Sequence, residues 1–440
     1  MKILKYIIIS ASALLSACDS VLETKPQTFI SDENVIVDKK TAEAALIGVY
    51  DGLQAYSTSI VSLDLAGDNV VNFNAQNNIV ANKTAAGSGG GFGTIYTMIN
   101  RANFVISKVP ALTNFAEADK NQILGEAYFL RALGYFDLAK TYGGAQIVLE
   151  PATAANSHKG TKRSTKAETY AQVLSDLDKA EALLKTTVNR NRANKFTVYA
   201  LKARLFLYTE KWDLAEEFAS KNITSTGFKL VKPYSAFFTG KNTEESILEI
   251  AFSTSDKSSF YTNWNSPAQG GRHDYIPERS FVGLLLDPNL GGSRKSLLFQ
   301  TPDGIYDLTQ YSKQDGTSSI FVFRIAEQYL IRAEARTKKT TPDLSGAVAD
   351  LNLIKSRADV PLLAYNTALK ASEIQLAIEN ERRCELPFEG HRFIDIVRTG
   401  RAAEVFGAVN ASIRNPQFWV FPIPQSEVII DEDLVQNPGY

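Results

Sequence analysis

Four residue types are scarce in this chain of 440 residues: three histidines, two cysteines, two methionines and three tryptophans. The histidines, His158, His273 and His391, stand far apart, and no HExxH, CxxC or GxSxG occurs. The familiar zinc, redox and nucleophile-elbow patterns are therefore missing, and no cofactor is called for. Two cysteines, Cys18 and Cys384, exclude a disulfide-built scaffold. The glycine run Gly87-Ser88-Gly89-Gly90-Gly91 fits neither GxxxxGK[ST] nor GxGxxG and reads as loop. Beyond the first residues no long apolar run occurs, so no later segment is predicted to cross a membrane as a helix. Forty-seven basic against 48 acidic residues leave a net charge of -1, which argues against a nucleic-acid-binding surface. A hydrophobic share of 44% and a charged share of 22% are ordinary for a globular protein.

What is present begins at the N-terminus. Lys2 and Lys5 precede the apolar stretch Ile7–Leu15, and Leu15-Ser16-Ala17-Cys18 closes it. This is the layout of a secretory signal peptide, too short to span a bilayer. Cysteine directly after the small residues resembles the lipobox of bacterial lipoproteins, in which the thiol is acylated (as by palmitate) and the chain is cut before it. Residues 1–17 are thus expected to be a lipoprotein signal peptide, Cys18 the lipid anchor, and 18–37 a lipidated polar tether. With Cys18 lipidated, Cys384 has no partner for a disulfide.

Helical spacing of apolar residues starts at Lys39 and runs to Tyr56. Residues 57–96, rich in Asp, Asn and Gly, read as a loop insertion. Further helices are predicted over 96–108, 119–142, 166–185, 195–209, 211–222, 322–338, 344–358 and 371–386. A short pattern recurs in them: Tyr128-x-x-Arg131-Ala132, Tyr199-x-x-Lys202-Ala203 and Tyr329-x-x-Arg332-Ala333. Alanines on one helix facing aromatics on the next resemble the tetratricopeptide helix-turn-helix unit, here as an array broken by insertions. The chain divides accordingly into an N-terminal helical region (38–222), an irregular insertion (223–321) and a C-terminal helical region (322–440). Within the insertion Ser246–Phe252 reads as a strand and Phe299–Tyr311 as a hairpin.

The densest charged block runs from Glu379 to Arg398. Glu379 with Arg383, Arg392 with Asp395 and Asp395 with Arg398 stand at helical pairing distance, and Pro387 separates two helices. The block reads as an ion-pair fastening between helices rather than a catalytic cluster, with Cys384 a packed small side chain. No catalytic residue and no metal ligand is nominated.

The same block, Glu381-Arg382-Arg383-x-Glu385-Leu386-x-Phe388-Glu389-Gly390-x-Arg392-Phe393-x-Asp395-x-x-Arg398-x-Gly400, closely resembles the C-terminal signature of the SusD/RagB family, the surface nutrient-binding lipoproteins of Bacteroidetes. Phe129–Gly143, Phe323–Ala335, and Pro422–Glu427 with Gln436–Tyr440 agree in the same order. The resemblance implies a mainly α, tetratricopeptide-like helix-pair scaffold whose irregular loop and short-strand insertions form the ligand-binding region. It further implies a non-enzymatic lipoprotein at the exterior of the outer membrane, partnered with a SusC-like TonB-dependent barrel and binding an oligosaccharide. A peptide is the alternative ligand, and a lipid-anchored glycoside hydrolase the rival from another class. Sugars stack on aromatic rings while carboxylates, amides and Arg take their hydroxyls, which nominates Asp68, Asn69, Tyr261, Trp264, Arg272 and Tyr275. Phe92 stands where many relatives carry Trp.

Overall fold

A computed structural model describes residues 35–73, 91–152 and 159–440. Cys18, the leader, the tether as far as residue 34, His158 and the glycines at 87, 89 and 90 lie outside the described residues. Helix α1 (Lys39–Ala66) starts at Asp38, whose carboxylate accepts from the Thr41 N–H at 2.8 Å while the Asp38 N–H donates to the Thr41 hydroxyl. This reciprocal cap satisfies two donors that the first turn leaves free. β1 (Val70–Asn72) follows, then α2 (Phe92–Lys108), α3 (Glu117–Tyr142), α4 (Lys166–Leu183), α5 (Lys195–Tyr208) and α6 (Trp212–Ile223). Thr165 and Asn194 cap α4 and α5 in the same way.

Shorter elements come next: α7 (Ala236–Thr239), β2 (Ser246–Ile250), α8 (Phe260–Trp264), β3 (Tyr275–Pro277), α9 (Arg279–Leu286), β4 (Leu298–Gln300), β5 (Tyr306–Leu308) and β6 (Ile320–Arg324). The chain then returns to helix with α10 (Ile325–Lys338), α11 (Leu344–Arg357), α12 (Ala371–Glu385), α13 (Arg392–Arg398), α14 (Ala402–Val405) and α15 (Gln425–Ile430). The described strands form three antiparallel pairs, β1–β3, β2–β6 and β4–β5. The protein is mainly α. Among the described residues no helix is long and apolar enough to cross a membrane.

Two boundaries depart from the sequence reading. The expected loop 57–96 is helical at both ends, because α1 continues to Ala66 and α2 begins at Phe92. Ile60, Val61, Leu63 and Leu65 are buried there, alongside the polar Ser57, Ser59 and Asp64, so tertiary contacts override local polarity. Residues 322–324, expected as helix, finish β6, as the β-branched and aromatic run Ile320-Phe321-Val322-Phe323 favours.

Consecutive helices pack as neighbours: α1 on α2, α2 on α3, α3 on α4, α5 on α6, and α10 on both α11 and α12, with α6 crossing onto α10. Close approach is set by small residues. A Cβ on Gly52 would lie 2.9 Å from Met98 Cβ, and one on Gly134 2.9 Å from Ile99 Cγ1, so α1 and α3 both press their backbones against α2.

The recurrent Tyr-x-x-Arg/Lys-Ala pattern has one job in all three copies. Its alanine is fully buried, and its cation, three residues after the tyrosine, reaches a carboxylate on an adjacent helix. Arg131 of α3 donates to Asp176 of α4 through Nε (2.8 Å) and Nη2 (2.7 Å). Lys202 of α5 binds Asp178 of α4 at 2.6 Å and also Glu181. Arg332 of α10 grips Asp350 of α11 at 2.8 and 2.7 Å. Arg131 and Arg332 also lie over the rings of their own tyrosines, at 5.4 and 5.6 Å.

The charged C-terminal block closes the scaffold as a buried junction. Glu385, fully buried, accepts from Arg294 (2.9 Å) and Arg324 (3.0 Å) and pairs with Arg357. Arg324 also binds Glu245 at 2.8 Å and Glu389 at 2.7 Å, and Arg294 pairs with Glu381. Burial opposes the ionisation of Glu385, but the three guanidiniums outweigh it and hold its carboxyl at about 2. Glu389 answers oppositely: burial pushes it up to about 7 despite Arg324. Burial also keeps His391 neutral, down at about 3. Asp395 takes Arg382 at 2.7 Å and Arg398 at 2.8 Å, and Arg398 continues to Glu334 at 2.6 Å. Of the three local pairs expected from spacing, only Asp395–Arg398 forms. Arg383 and Arg392 instead reach Asp68 on the far side of the junction, and Glu379 takes Arg401. The reason is burial: packed between elements, these side chains meet partners distant in sequence.

Candidate functional site

The turn from α1 into β1 carries two nominated residues. The Asp68 carboxylate accepts from Arg392 Nε at 2.7 Å and pairs with Arg383 Nη2 at 3.1 Å, which donates to the Asp68 carbonyl at 3.2 Å. Burial resists the charge on Asp68, yet the two guanidiniums hold its carboxyl below the usual range. Asn69 is 1% exposed; its side-chain oxygen accepts from Arg383 Nε at 2.9 Å and its carbonyl from Glu278 N–H at 2.8 Å. Their polar groups are committed to fastening α1 and β1 onto α12 and α13. In this structure both serve the scaffold, a placement that differs from the ligand-contact expectation.

Trp264 likewise sits away from solvent. It is 1% exposed, and its indole is enclosed by Tyr275 (5.5 Å between ring centres), Tyr311 (6.0 Å) and Phe388 (5.5 Å). Its ring faces are occupied by protein, so it plugs the join between insertion and junction. Phe388 reaches it by adopting φ +61° in the turn after α12.

The other three nominees surround this plug. Tyr275 is half-buried on β3, paired to Asn72 of β1. Burial, with the Asp274 charge beside it, raises its phenol. Arg272 is exposed and bound to Asp274 (2.6 Å) and Asn263 (2.9 Å). Next to it His273, at φ +60°, stacks on Phe73 with 5.1 Å between ring centres. Tyr261, on α8, donates its hydroxyl to the Gln269 carbonyl and lines a cleft.

That cleft has a volume of about 320 Å³ and is lined by Tyr261, Asn265, Gln269, Phe299, Leu308, Thr309, Ser312 and Gln314. The β4–β5 hairpin supplies one wall, with Phe299 of β4 48% exposed and Leu308 of β5 fully buried behind it. α8 and the loop after it supply the other. Asn265 braces this loop by donating to the Tyr261 and Tyr311 carbonyls, each at 3.0 Å. Gln314 donates to the Gln269 carbonyl at 3.3 Å and bridges the two walls. Asp307 stands behind the hairpin, accepting from Ser266 N–H (2.9 Å) and Ser266 Oγ (2.8 Å), so hairpin and loop are held in register. The result is a preformed concavity with two aromatic rings and several neutral polar groups, the composition of a small-ligand site. Among the described residues no cluster of His, Cys, Asp and Glu is placed to hold a metal ion.

Sequence reasoning missed Phe299, Gln269 and Gln314. The hairpin was legible, and an aromatic on its edge is the signal that could have found Phe299.

Comparison with known proteins agrees with this architecture. The SusD family model matches residues 294–440, and a second model, described as starch-binding associating with outer membrane, matches residues 20–207. SusD-like protein P38 of Formosa agariphila is 26% identical over 99% of this chain and 98% of its own length. Starch-binding protein SusD of Bacteroides thetaiotaomicron is 25% identical over 78% of this chain and 76% of its own. A laminarin-binding SusD-like protein of known structure superposes with a TM-score of 0.76 at 23% identity, covering 92% of this chain and all of that one. The mainly helical fold is thus shared. This chain belongs to the SusD/RagB family.

Proposed function

We propose that this protein is a non-enzymatic, lipid-anchored binding protein of the outer membrane that captures an oligosaccharide and passes it to a SusC-like TonB-dependent barrel. The cleft carries the reading. Phe299 offers apolar ring surface to the C–H face of a sugar, with the largely buried Tyr261 forming the floor beside it, and Gln269, Gln314, Thr309 and Ser312 offer donors and acceptors to its hydroxyls. The names of two relatives, starch-binding and laminarin-binding, support a carbohydrate ligand. No acidic side chain lines the cleft, so the pair of carboxylates that glycosidic cleavage requires is not in it. Arg272 and Tyr275 would extend the surface beside the cleft. Cys18 would carry the lipid and residues 18–37 the tether, letting the protein stay beside its transporter.

Isothermal titration of the protein against glycans and against peptide mixtures tests the ligand class: heat with glycans is the expected result, and heat only with peptides would sink it. The anchor is tested by Cys18→Ala, which should leave binding in solution intact and abolish uptake by cells. Co-purification of a TonB-dependent barrel from outer membranes tests the partnership.

A further inference from the structure

The cleft's lining contains no charged side chain at all. Five of its eight residues are neutral and polar, and the remaining three are Tyr261, Phe299 and Leu308. Charges do stand nearby, and with the exception of Lys313 those flanking the cleft are engaged with one another or with neutral partners. Arg272 is held by Asp274 and Asn263, Asp303 by the Thr301 hydroxyl, and Asp315 by the Thr317 backbone (3.0 Å) and hydroxyl (2.7 Å). Asp307 is 1% exposed, bound to both Ser266 groups and 3.2 Å from His273 Nε2. Lys313, between the lining residues Ser312 and Gln314, lies outside the lining, and among the described residues its ammonium makes no ion pair or hydrogen bond.

The neutral groups apart from Asn265, whose amide is held by the Tyr261 and Tyr311 carbonyls, are by contrast largely unspent. Among the described residues the side chains of Gln269, Thr309 and Ser312 make no hydrogen bond within the chain, and the amide of Gln314 makes one. Amides and hydroxyls each present both donor and acceptor, which is what a sugar hydroxyl presents in return. A carboxylate or sulfate presents only acceptors and carries a charge, whose removal from water must be offset by a cation or a set of convergent N–H groups. The cleft supplies neither.

Resting on the carbohydrate reading above, we infer that the ligand of this cleft is an uncharged oligosaccharide, and that uronic or sulfated sugars are discriminated against for want of a cation. The cleft volume, about 320 Å³, lies at the small end of the range for ligand sites, so it seats a short stretch of the chain and leaves the rest in solvent.

The test is titration of the full-length chain in detergent at 50 and 500 mM NaCl. The neutral probes are maltohexaose, laminarihexaose, xylohexaose and mannohexaose; the acidic probes are a hexagalacturonate and a sulfated galactan hexasaccharide. At least one neutral probe should bind with a Kd that changes less than twofold between the two salts, and both acidic probes should bind at least tenfold more weakly. Phe299→Ala, at an exposed position, should weaken the neutral ligand at least tenfold without unfolding the protein. Gln314→Lys should bring in hexagalacturonate binding that fades at high salt. Acidic probes bound more tightly than all neutral ones would overturn the inference while leaving a carbohydrate-binding protein. Silence from both classes would instead remove the carbohydrate reading itself. Neutral binding untouched by Phe299→Ala would place the site elsewhere and overturn the assignment to this cleft.

Discussion

The buried junction and the open cleft lie in one chain and are built on opposite rules. The junction gathers Arg294, Arg324 and Arg357 around Glu385, with Glu245, Glu381 and Glu389 completing the set, all almost wholly excluded from water. The cleft has no charge in its lining and leaves the side chains of Gln269, Thr309 and Ser312 uncommitted. Buried charges are tolerable only with every partner in place, so the junction fixes many residue types at once. A cleft of amides and hydroxyls imposes no such mutual requirement, and one side chain there can change without stranding another. The charged signature from Glu381 to Arg398 accordingly falls in the part of the scaffold that is locked.

The contrast can be broken most forcefully at its centre. Glu385→Ala would leave three buried guanidiniums without their common carboxylate; a loss of roughly 3–5 kcal/mol or failure to fold is expected, read by denaturant unfolding and soluble yield. A variant of near-normal stability would show that the junction is not what closes the scaffold. Next in size is Trp264→Ala, expected to cost about 3–5 kcal/mol by emptying the space between Tyr275, Tyr311 and Phe388. If it left the melting temperature unchanged but removed binding, the indole would be a ligand platform after all.

The repeated cation gives a graded pair. Arg131→Ala, at a fully buried bidentate bridge, should destabilise by roughly 3 kcal/mol, and Arg332→Ala, whose side chain is 13% exposed, by less. Equal effects would mean that burial does not set the strength of the staple.

A smaller effect concerns pH. The Glu389 carboxyl stands at about 7 in the folded chain against an ordinary 4.5, so the folded state holds its proton more tightly than the unfolded state. Its contribution is fully present below about 4.5 and is lost as pH rises through 7. His391 acts in the reverse sense: held down at about 3, it costs stability as pH falls below its ordinary 6.5. Glu389→Gln should remove the first slope and leave the second, a change on the order of 1–3 kcal/mol between pH 5 and 8, measured by unfolding across that range. The smallest effect belongs to the cleft: Phe299→Ala should alter stability by no more than about 0.5 kcal/mol while weakening ligand binding.

Sequence periodicity located the long helices, because their buried stripes repeat at the helical interval. It also made the charged block a structural fastening. It could not see that Arg383 and Arg392 turn away from their helical neighbours to Asp68, since that contact spans more than 300 residues. Scarcity singled out Trp264: one of three tryptophans, in an irregular region, looked like a ligand platform, whereas a large ring serves equally well to fill a join between packed elements. Phe299 went unnoticed for the converse reason. It is one of 24 phenylalanines, and only the placement of the hairpin leaves it half in water.

Cys384 gives the junction a clock. Its thiol is 4% exposed, immediately before Glu385, and burial pushes it up to about 11. At neutral pH roughly one molecule in ten thousand would carry the reactive thiolate, and even that is shielded from reagents. In a chain begun after Cys18 it is the sole thiol. The rate at which an alkylating reagent consumes it therefore counts the openings of the arginine–glutamate junction in the native protein, and the same trace, followed as ligand is added, reports whether events at the cleft are felt there.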